Sequence, residues 1–155
     1  MQNEEPRAAG DPSHLDHDAW ALELGRVTRA AAQLATICFD LARIVGGVDE
    51  NKMYDDPLGG LQQRLGGIEP KSSPLLPEFL AVLDSARHTR NDIMHAFLLR
   101  DGLLRRSSKR GYDREFYSIS TLINTKDQLE AASRLGNQIL YANGGEAVEA
   151  WRQRN

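Results

Sequence analysis

The sequence predicts an all-α fold, a bundle of long up-and-down helices in one domain. Three segments carry apolar residues at steps of three and four, the spacing that places side chains on one face of a helix. They cover residues 15–45, 72–100 and 125–142. Stretches rich in glycine, proline or polar residues separate them, as expected of the connections in a helical bundle.

Composition restricts the class of protein. The chain has 155 residues, of which 41% are hydrophobic and 26% charged, and this suits one globular domain with a single core. The net charge of −3 gives no overall basic field, so nucleic acid binding would need a local patch. The sequence has no apolar run long enough to span a bilayer and no secretory h-region. We therefore expect a cytoplasmic protein that does not contact a membrane.

Cysteine usage agrees with this expectation. Cys38 is the only cysteine, which excludes an internal disulfide and a cysteine metal cluster. Because Cys38 lies within an apolar stripe, we predict a buried, inert thiol in a reducing compartment.

The first long helix is predicted over residues 15–45. Residues 1–14 are polar and lack periodicity, so we interpret them as a disordered tail before a single domain at 15–155. Gly46 and Gly47 supply the left-handed conformation that ends a helix. A helix of this size is about 45 Å long and leaves surface for a second chain. The stripe consists of Trp20, Leu24, Val27, Ala31, Leu34, Cys38, Leu41 and Val45.

Residues 46–74 form a loop-rich connection with one short helix inside it. Leucines at 58, 61 and 65 and Ile68 have helical spacing. The next long helix is predicted to begin after a Ser72 or Ser73 cap, with Pro74 in its first turn.

A polar cluster lies within this central helix, predicted over Ser72–Arg100. Apolar residues continue on both sides of it, so the sequence predicts that the helix continues through the cluster. The buried stripe is predicted to contain Phe79, Val82, Ala86, Ile93 and Phe97. The cluster consists of Arg87, His88, Arg90, Asn91, Asp92 and His95.

Helical geometry groups some of these polar residues. Steps of three and four place His88, Asn91 and His95 on one face. Arg90 lies about 140° from His95 around the helix, so its side chain must bend to join that face.

After the central helix the sequence predicts a small β-hairpin at about 102–119, as an appendage to the bundle. Its two β-prone runs are Leu103–Arg106 and Tyr112–Ile119. The same stretch is the clearest basic patch of the chain, because cationic residues outnumber acidic ones there. Its cationic residues include Arg105, Arg106, Lys109 and Arg110.

The last long helix is predicted to open at Thr125–Gln128, which has the pattern of a capping box. Its buried stripe is predicted to comprise Leu129, Ala132, Leu135, Ile139 and Ala142, and Asn143–Gly145 would end it. A further short helix is predicted within residues 146–155.

Several kinds of site are missing from the sequence. The glycine pairs lack the lysine and the strand context of a phosphate-binding loop. Histidines at metal-ligand spacing with a carboxylate on one helix are absent, so we expect no metal and no cofactor. Ser85 and Ser133 have no evident general base.

The residues Arg90, Asn91 and His95 have the chemistry that RNA cleavage needs. Attack by the 2′-hydroxyl requires a base, an acid and stabilisation of a pentacoordinate phosphorane. Histidine serves as acid or base near neutral pH, and arginine presents forked charged donors to phosphate oxygens. Asn91 could hold the imidazole or bind a phosphate oxygen. One His95 per chain supplies a single acid or base, whereas a two-fold dimer would place two in one cleft.

The sequence Arg90-Asn91-Asp92-Ile93-Met94-His95, on a helix of an all-helical domain, resembles the HEPN family. In that family an arginine followed by a polar residue precedes a histidine by four to six residues. The resemblance implies a helical bundle and a metal-independent endoribonuclease that acts as a homodimer, with Arg90, Asn91 and His95 in the catalytic site. It also implies a toxin or antiviral role in phage defence, often with an antitoxin partner.

The predicted RNA contacts extend beyond the motif. Arg87 and His88 flank it on the helix, and the basic patch could bind the RNA backbone through charge. The predicted RNA-binding set is therefore Arg87, His88, Arg105, Arg106, Lys109 and Arg110.

Two alternatives remain open. The domain could be a catalytically inactive HEPN-like module for dimerisation or for binding RNA or nucleotides. It could also be an unrelated helical-bundle interaction protein, in which His95 is satisfied by a backbone carbonyl and the polar cluster is structural. The basic patch could be a solvated hairpin.

Overall fold

The structure, a computed structural model, describes residues 17–69, 73–99, 102–104, 117–144 and 153. These residues form an all-α bundle with one small hairpin, which confirms the predicted fold class. The helices are α1 (His17–Ile44), α2 (Leu58–Gly66), α3 (Leu76–Met94) and α4 (Ile119–Ala142). A 3-10 helix spans Glu50–Lys52, and strands β1 (Phe97–Leu99) and β2 (Gly102–Leu104) follow α3.

The core lies between α1, α3 and α4. Helix α1 has its most extensive contact with α4, α3 packs on α4, and α2 packs against both α1 and α3. The first predicted stripe is largely confirmed, since Val27, Leu34 and Leu41 are fully buried. None of the described helices has both the length and the apolar character needed to cross a membrane.

Gly136 lies where side chains of α1 and α3 pack directly against the backbone of α4. A Cβ at this position would lie 2.6 Å from Cγ2 of Ile37 in α1 and 3.0 Å from Cε2 of Phe79 in α3. Glycine in the middle of a helix normally costs about 1 kcal/mol relative to alanine. Here it is needed because any larger side chain would push the helices apart.

The end of α1 and the state of Cys38 match the predictions. Gly47 has φ of 62°, and the backbone N–H of Val48 donates to the oxygen of Ala42 at 3.0 Å. This left-handed turn satisfies a carbonyl that the helix end leaves free. Cys38 is fully buried, and burial raises the pKa of its thiol to about 12, so the thiol remains protonated.

The predicted limits of the central helix were wrong at both ends. Helix α3 begins at Leu76, not at Ser72, and its first residue follows a cap, Leu75, whose side chain makes no capping bond. Ser73 lies before the helix, where its hydroxyl accepts from the N–H of Leu75 at 3.4 Å. The helix ends at Met94, so the polar cluster lies at its end and does not interrupt a longer helix.

The hairpin of the described residues differs from the predicted pairing of Leu103–Arg106 with Tyr112–Ile119. The described part of that pairing is one backbone bond, from the N–H of Tyr117 to the oxygen of Leu103 at 2.9 Å. Leu103 and Leu104 of the first predicted strand lie in β2. Strand β2 pairs with the residues just after α3, where Phe97 faces Leu104 and Leu99 faces Gly102. Only two residues separate the strands, so the hairpin is tight. The second predicted strand, 112–119, mostly lies outside the described residues, and its last residue is the first of α4.

Helix α4 starts six residues before the predicted capping box. Ser118 is the actual cap, and its hydroxyl accepts from the N–H of Thr121 at 3.1 Å. Thr125 is buried inside the helix, where its hydroxyl donates to the oxygen of Thr121 at 2.8 Å. The predicted end is confirmed, because the helix stops at Ala142. The predicted tail at 1–14 lies outside the described residues, as does all but residue 153 of the short helix predicted at 146–155.

Candidate functional site

The last two turns of α3 bring the predicted catalytic residues to one end of the bundle. Arg90 and Asn91 lie in the helix, and His95 is its C-cap. The backbone N–H of His95 donates to the oxygen of Asn91 at 3.0 Å, which closes the last turn. The imidazole therefore stands at the point where the chain leaves the helix. Its side chain is exposed.

Asn91 holds Arg90, and not the imidazole, which was one of the two roles expected of it from the sequence. The Nη1 atom of Arg90 donates to Oδ1 of Asn91 at 2.9 Å. Both side chains are half-buried. Asn91 thus fixes one branch of the guanidinium through its side chain while its backbone oxygen anchors His95.

The guanidinium of Arg90 keeps unused donors. Its Nε is buried and has no hydrogen-bond partner among the described residues. Within those residues it also makes no ion pair with a carboxylate. A half-buried cation with free N–H groups favours an anionic ligand, since an unpaired buried donor costs about 1–3 kcal/mol.

His95 has a different environment from Arg90. No described residue forms a hydrogen bond or an ion pair with its imidazole. An exposed and unconstrained imidazole is free to exchange a proton with a substrate.

The other half of the cluster is tied to α2 by a hydrogen-bond network. Gln62 accepts at its Oε1 from Nε of Arg87 at 2.6 Å, and donates from Nε2 to Oδ1 of Asp84 at 2.8 Å. Arg87 also approaches Asp84 at 3.3 Å. These bonds lower the pKa of the Asp84 carboxyl. The bond from Gln62 has the largest effect, and the bond from Arg87 has the next largest.

His88 joins the same network at its exposed edge. Its Nδ1–H donates to the backbone oxygen of Asp84 at 2.8 Å, and its Nε2 lies 3.4 Å from Nη2 of Arg87. The His88 side chain is 62% exposed. Arg87 is more enclosed, with 25% of its side chain exposed. That Arg87 and His88 contact RNA stays a prediction. Much of the donor capacity of Arg87 is already used in its bonds to Gln62 and Asp84.

Sequence reasoning missed Asp84 and Gln62. Asp84 could have been found, because it stands three residues before Arg87 and four before His88, the spacings at which helix side chains meet. Gln62 gave no such signal, since its role depends on α2 packing against α3.

The hairpin connects the α3 end to the predicted basic patch. In the register of the strands, Leu104 lies opposite Phe97, and Phe97 is two residues after His95. The N–H of Tyr117 donates to the oxygen of Leu103 at 2.9 Å, so the chain also returns to this place. Arg105, Arg106, Lys109 and Arg110 themselves lie outside the described residues.

Metal ligands do not converge in the part of the chain that the structure describes. No three of its histidine, cysteine, aspartate or glutamate residues lie close enough to hold an ion. No protein-family model, curated protein or solved structure matches this chain.

Proposed function

We propose that the chain is a metal-independent endoribonuclease of the HEPN type that acts as a homodimer. In this proposal Arg90 stabilises the phosphate, His95 is the general acid or base, and Asn91 orients both. The observation that carries it is the contrast at the end of α3. There a half-buried arginine retains free donors, and an exposed histidine five residues later makes no side-chain bond to a described residue.

The chemistry follows from the residues. A base removes the proton of the 2′-hydroxyl, whose oxygen attacks the adjacent phosphorus. The bond from phosphorus to the 5′-oxygen breaks, and an acid protonates that leaving oxygen. The products are a 2′,3′-cyclic phosphate and a 5′-hydroxyl. Arg90 would hold the phosphate oxygens while negative charge grows on them.

A dimer would complete this site. One imidazole starts the reaction as base and a second, already protonated, ends it as acid, so two copies of His95 satisfy both roles. An isologous two-fold interface at the α3 ends would also bring two Arg90 guanidiniums to the same phosphate.

RNA binding would involve the basic patch. The chain enters residues 105–116 from Leu104 and returns at Tyr117, both held beside the start of β1. The lysine and arginine residues of this segment are suited to phosphate contacts that read charge and not sequence. The toxin or antiviral role, an antitoxin partner and a cytoplasmic location are proposed from the resemblance and the composition.

The test is cleavage of a mixed RNA pool in EDTA. We compare the wild type with His95→Ala and Arg90→Ala, at a temperature where all are folded. Asp92→Asn is the matched control, because Asp92 is exposed on the same helical turn and has no assigned role. We expect cleavage by the wild type and the control, with 2′,3′-cyclic phosphate ends, and none by the two variants. Absence of wild-type cleavage, or cleavage by His95→Ala at the wild-type rate, would refute the proposal.

One observation favours a second candidate, a binding or interaction module without catalysis. The network of Gln62, Asp84 and Arg87 shows that part of the polar cluster serves to join α2 to α3. If Arg90 and His95 also act only in packing, their substitution would lower stability, and RNA would be bound without being cut.

A further inference from the structure

A polar groove lies between α1 and α4, separate from the α3 end. Arg26 and Arg29 face Lys126 and Glu130 across a cavity of about 290 Å³. Farther along, Gln33 and Glu130 share a second cavity of about 280 Å³ with Ser133, Arg134 and Asn137. We call this the α1/α4 groove.

The two helices are parallel along the groove. Arg26 shares the first cavity with Lys126, and Ile37 shares a smaller cavity with Asn137, so positions about 100 apart in sequence face each other. At 1.5 Å per residue, the stretch from Lys126 to Asn137 is about 16 Å long. A groove of this size accepts a small ligand of roughly mononucleotide dimensions or a short piece of an extended polymer.

The groove is positively charged although the chain as a whole is not. Four cationic side chains line its two larger cavities, against the single carboxylate of Glu130. Two cations have internal partners, Arg26 with Glu23 and Lys126 with Asp127. Arg29 and Arg134 form no hydrogen bond or ion pair with any described residue. They remain available to an anion.

The floor of the groove contains a second signal. Ser133 is 5% exposed, and its hydroxyl has no hydrogen-bond partner among the described residues. Buried hydroxyls are normally satisfied, so this orphan adds an unpaired polar group to the wall of the groove. Glu130 stands between the two cavities, where its carboxylate can accept from a ligand's amino group.

We propose that the α1/α4 groove binds a phosphate-bearing ligand whose other end carries an amino group, as in a nucleotide. The phosphate lies between Arg29 and Arg134, the two cations without an internal partner among the described residues, and Glu130 accepts from the amino group of the base. The same chemistry is offered by a free nucleotide and by a nucleotide within an RNA strand. The site does not depend on His95.

The experiment is calorimetric titration with three probes. They are inorganic phosphate, cytidine 5′-monophosphate and a 2′-O-methyl pentanucleotide, which cannot be cleaved because it lacks the 2′-hydroxyl. We expect saturable binding that falls about tenfold or more in Arg29→Gln and in Arg134→Gln, since each removes a charge-assisted contact. Lys52→Gln is the matched control, because it neutralises an exposed cation on the 3-10 helix.

Further variants separate the parts of the proposal. Glu130→Gln should weaken the binding of cytidine 5′-monophosphate relative to that of inorganic phosphate, and His95→Ala should bind as the wild type does. Binding of the mononucleotide assigns a free nucleotide as the ligand, and binding of the pentanucleotide alone assigns an RNA strand. The proposal is overturned if neither binds, or if Lys52→Gln weakens binding as much as Arg29→Gln. Loss of binding in His95→Ala would place the ligand at the α3 end and would overturn it too.

Discussion

The two halves of the α3 polar cluster look alike in sequence and differ in structure. Arg87 and His88 are bonded to Asp84, and Arg87 also to Gln62 on the neighbouring helix. Arg90 bonds to Asn91, its own neighbour, and His95 forms hydrogen bonds to the described residues only through its backbone. The first half holds two helices together. The second half leaves charged donors and an imidazole available, and this is what a site for a phosphate requires.

The largest expected effect is on catalysis and separates Arg90 from Arg87. Arg90→Ala should lower the cleavage rate at saturating RNA by about 10²–10³, because it removes donors that act on developing charge. Arg87→Ala should change this rate much less, since its guanidinium is engaged with Gln62 and Asp84. Single-turnover cleavage at matched folding measures both. Equal losses in the two variants would erase the distinction between the halves.

A second substitution, Gly136→Ala, perturbs stability far from both halves. The added Cβ would collide with Ile37 and Phe79, and overpacking costs about 1–3 kcal/mol, partly offset by about 1 kcal/mol of better helix propensity. Urea unfolding should therefore show a net loss, with cleavage by the folded protein unchanged. Gly25→Ala is the control, because a Cβ there meets nothing within 4 Å. It should be neutral or stabilising. A stabilising effect of Gly136→Ala would contradict the close contact.

A third substitution, Gln62→Ala, tests the structural half directly. It removes both bonds that Gln62 makes to α3 and leaves Nε of Arg87 without that partner, so we expect a loss of about 1–2 kcal/mol. Gln63→Ala, on the exposed neighbouring position, is the control and should change the free energy of unfolding little. Equal effects of the two substitutions would show that the network contributes nothing to stability.

The smallest expected effect is a pH dependence from Asp84. Its pKa is lowered in the folded protein, so the carboxylate contributes stability above the unfolded-state pKa of about 3.9. That contribution is lost as the pH falls through the lower folded-state value. Asp84→Asn should flatten the fall in stability below about pH 4, measured by urea unfolding at several pH values. If Asp84→Asn left this fall in stability unchanged, the bonds from Gln62 and Arg87 would not favour the charged form of Asp84.

The sequence predicted the core well where one periodic pattern ran without competition. Helix α1 was predicted at 15–45 and spans His17–Ile44, because its stripe is long and a glycine pair closes it. The start of α4 was missed because the β-prone run was predicted to continue to Ile119 and the pattern at Thr125 resembles a capping box. There Ser118, and not the pattern at Thr125, forms the cap. Tertiary packing overrode local preference in that turn.

The end of α3 was missed for a different reason. The apolar spacing continues past His95, so periodicity alone could not reveal that residues 97–99 pair with 102–104. The sequence therefore predicted the residue types of the candidate site and the helix that carries them. It did not predict that these residues lie at the end of that helix. The position at the helix end determines how accessible His95 is. A histidine inside a core helix would be enclosed, whereas His95 at the C-cap is exposed.

The most direct test of the account compares two variants in two assays. His95→Gln and Gln62→Ala are each measured for the free energy of unfolding and for the single-turnover rate of RNA cleavage in EDTA. The account predicts that His95→Gln unfolds like the wild type and does not cut RNA, whereas Gln62→Ala is less stable and still cuts when folded. If the wild type cuts no RNA, or if His95→Gln loses stability as Gln62→Ala does, the α3 end is a structural element and the proposed catalytic site is wrong.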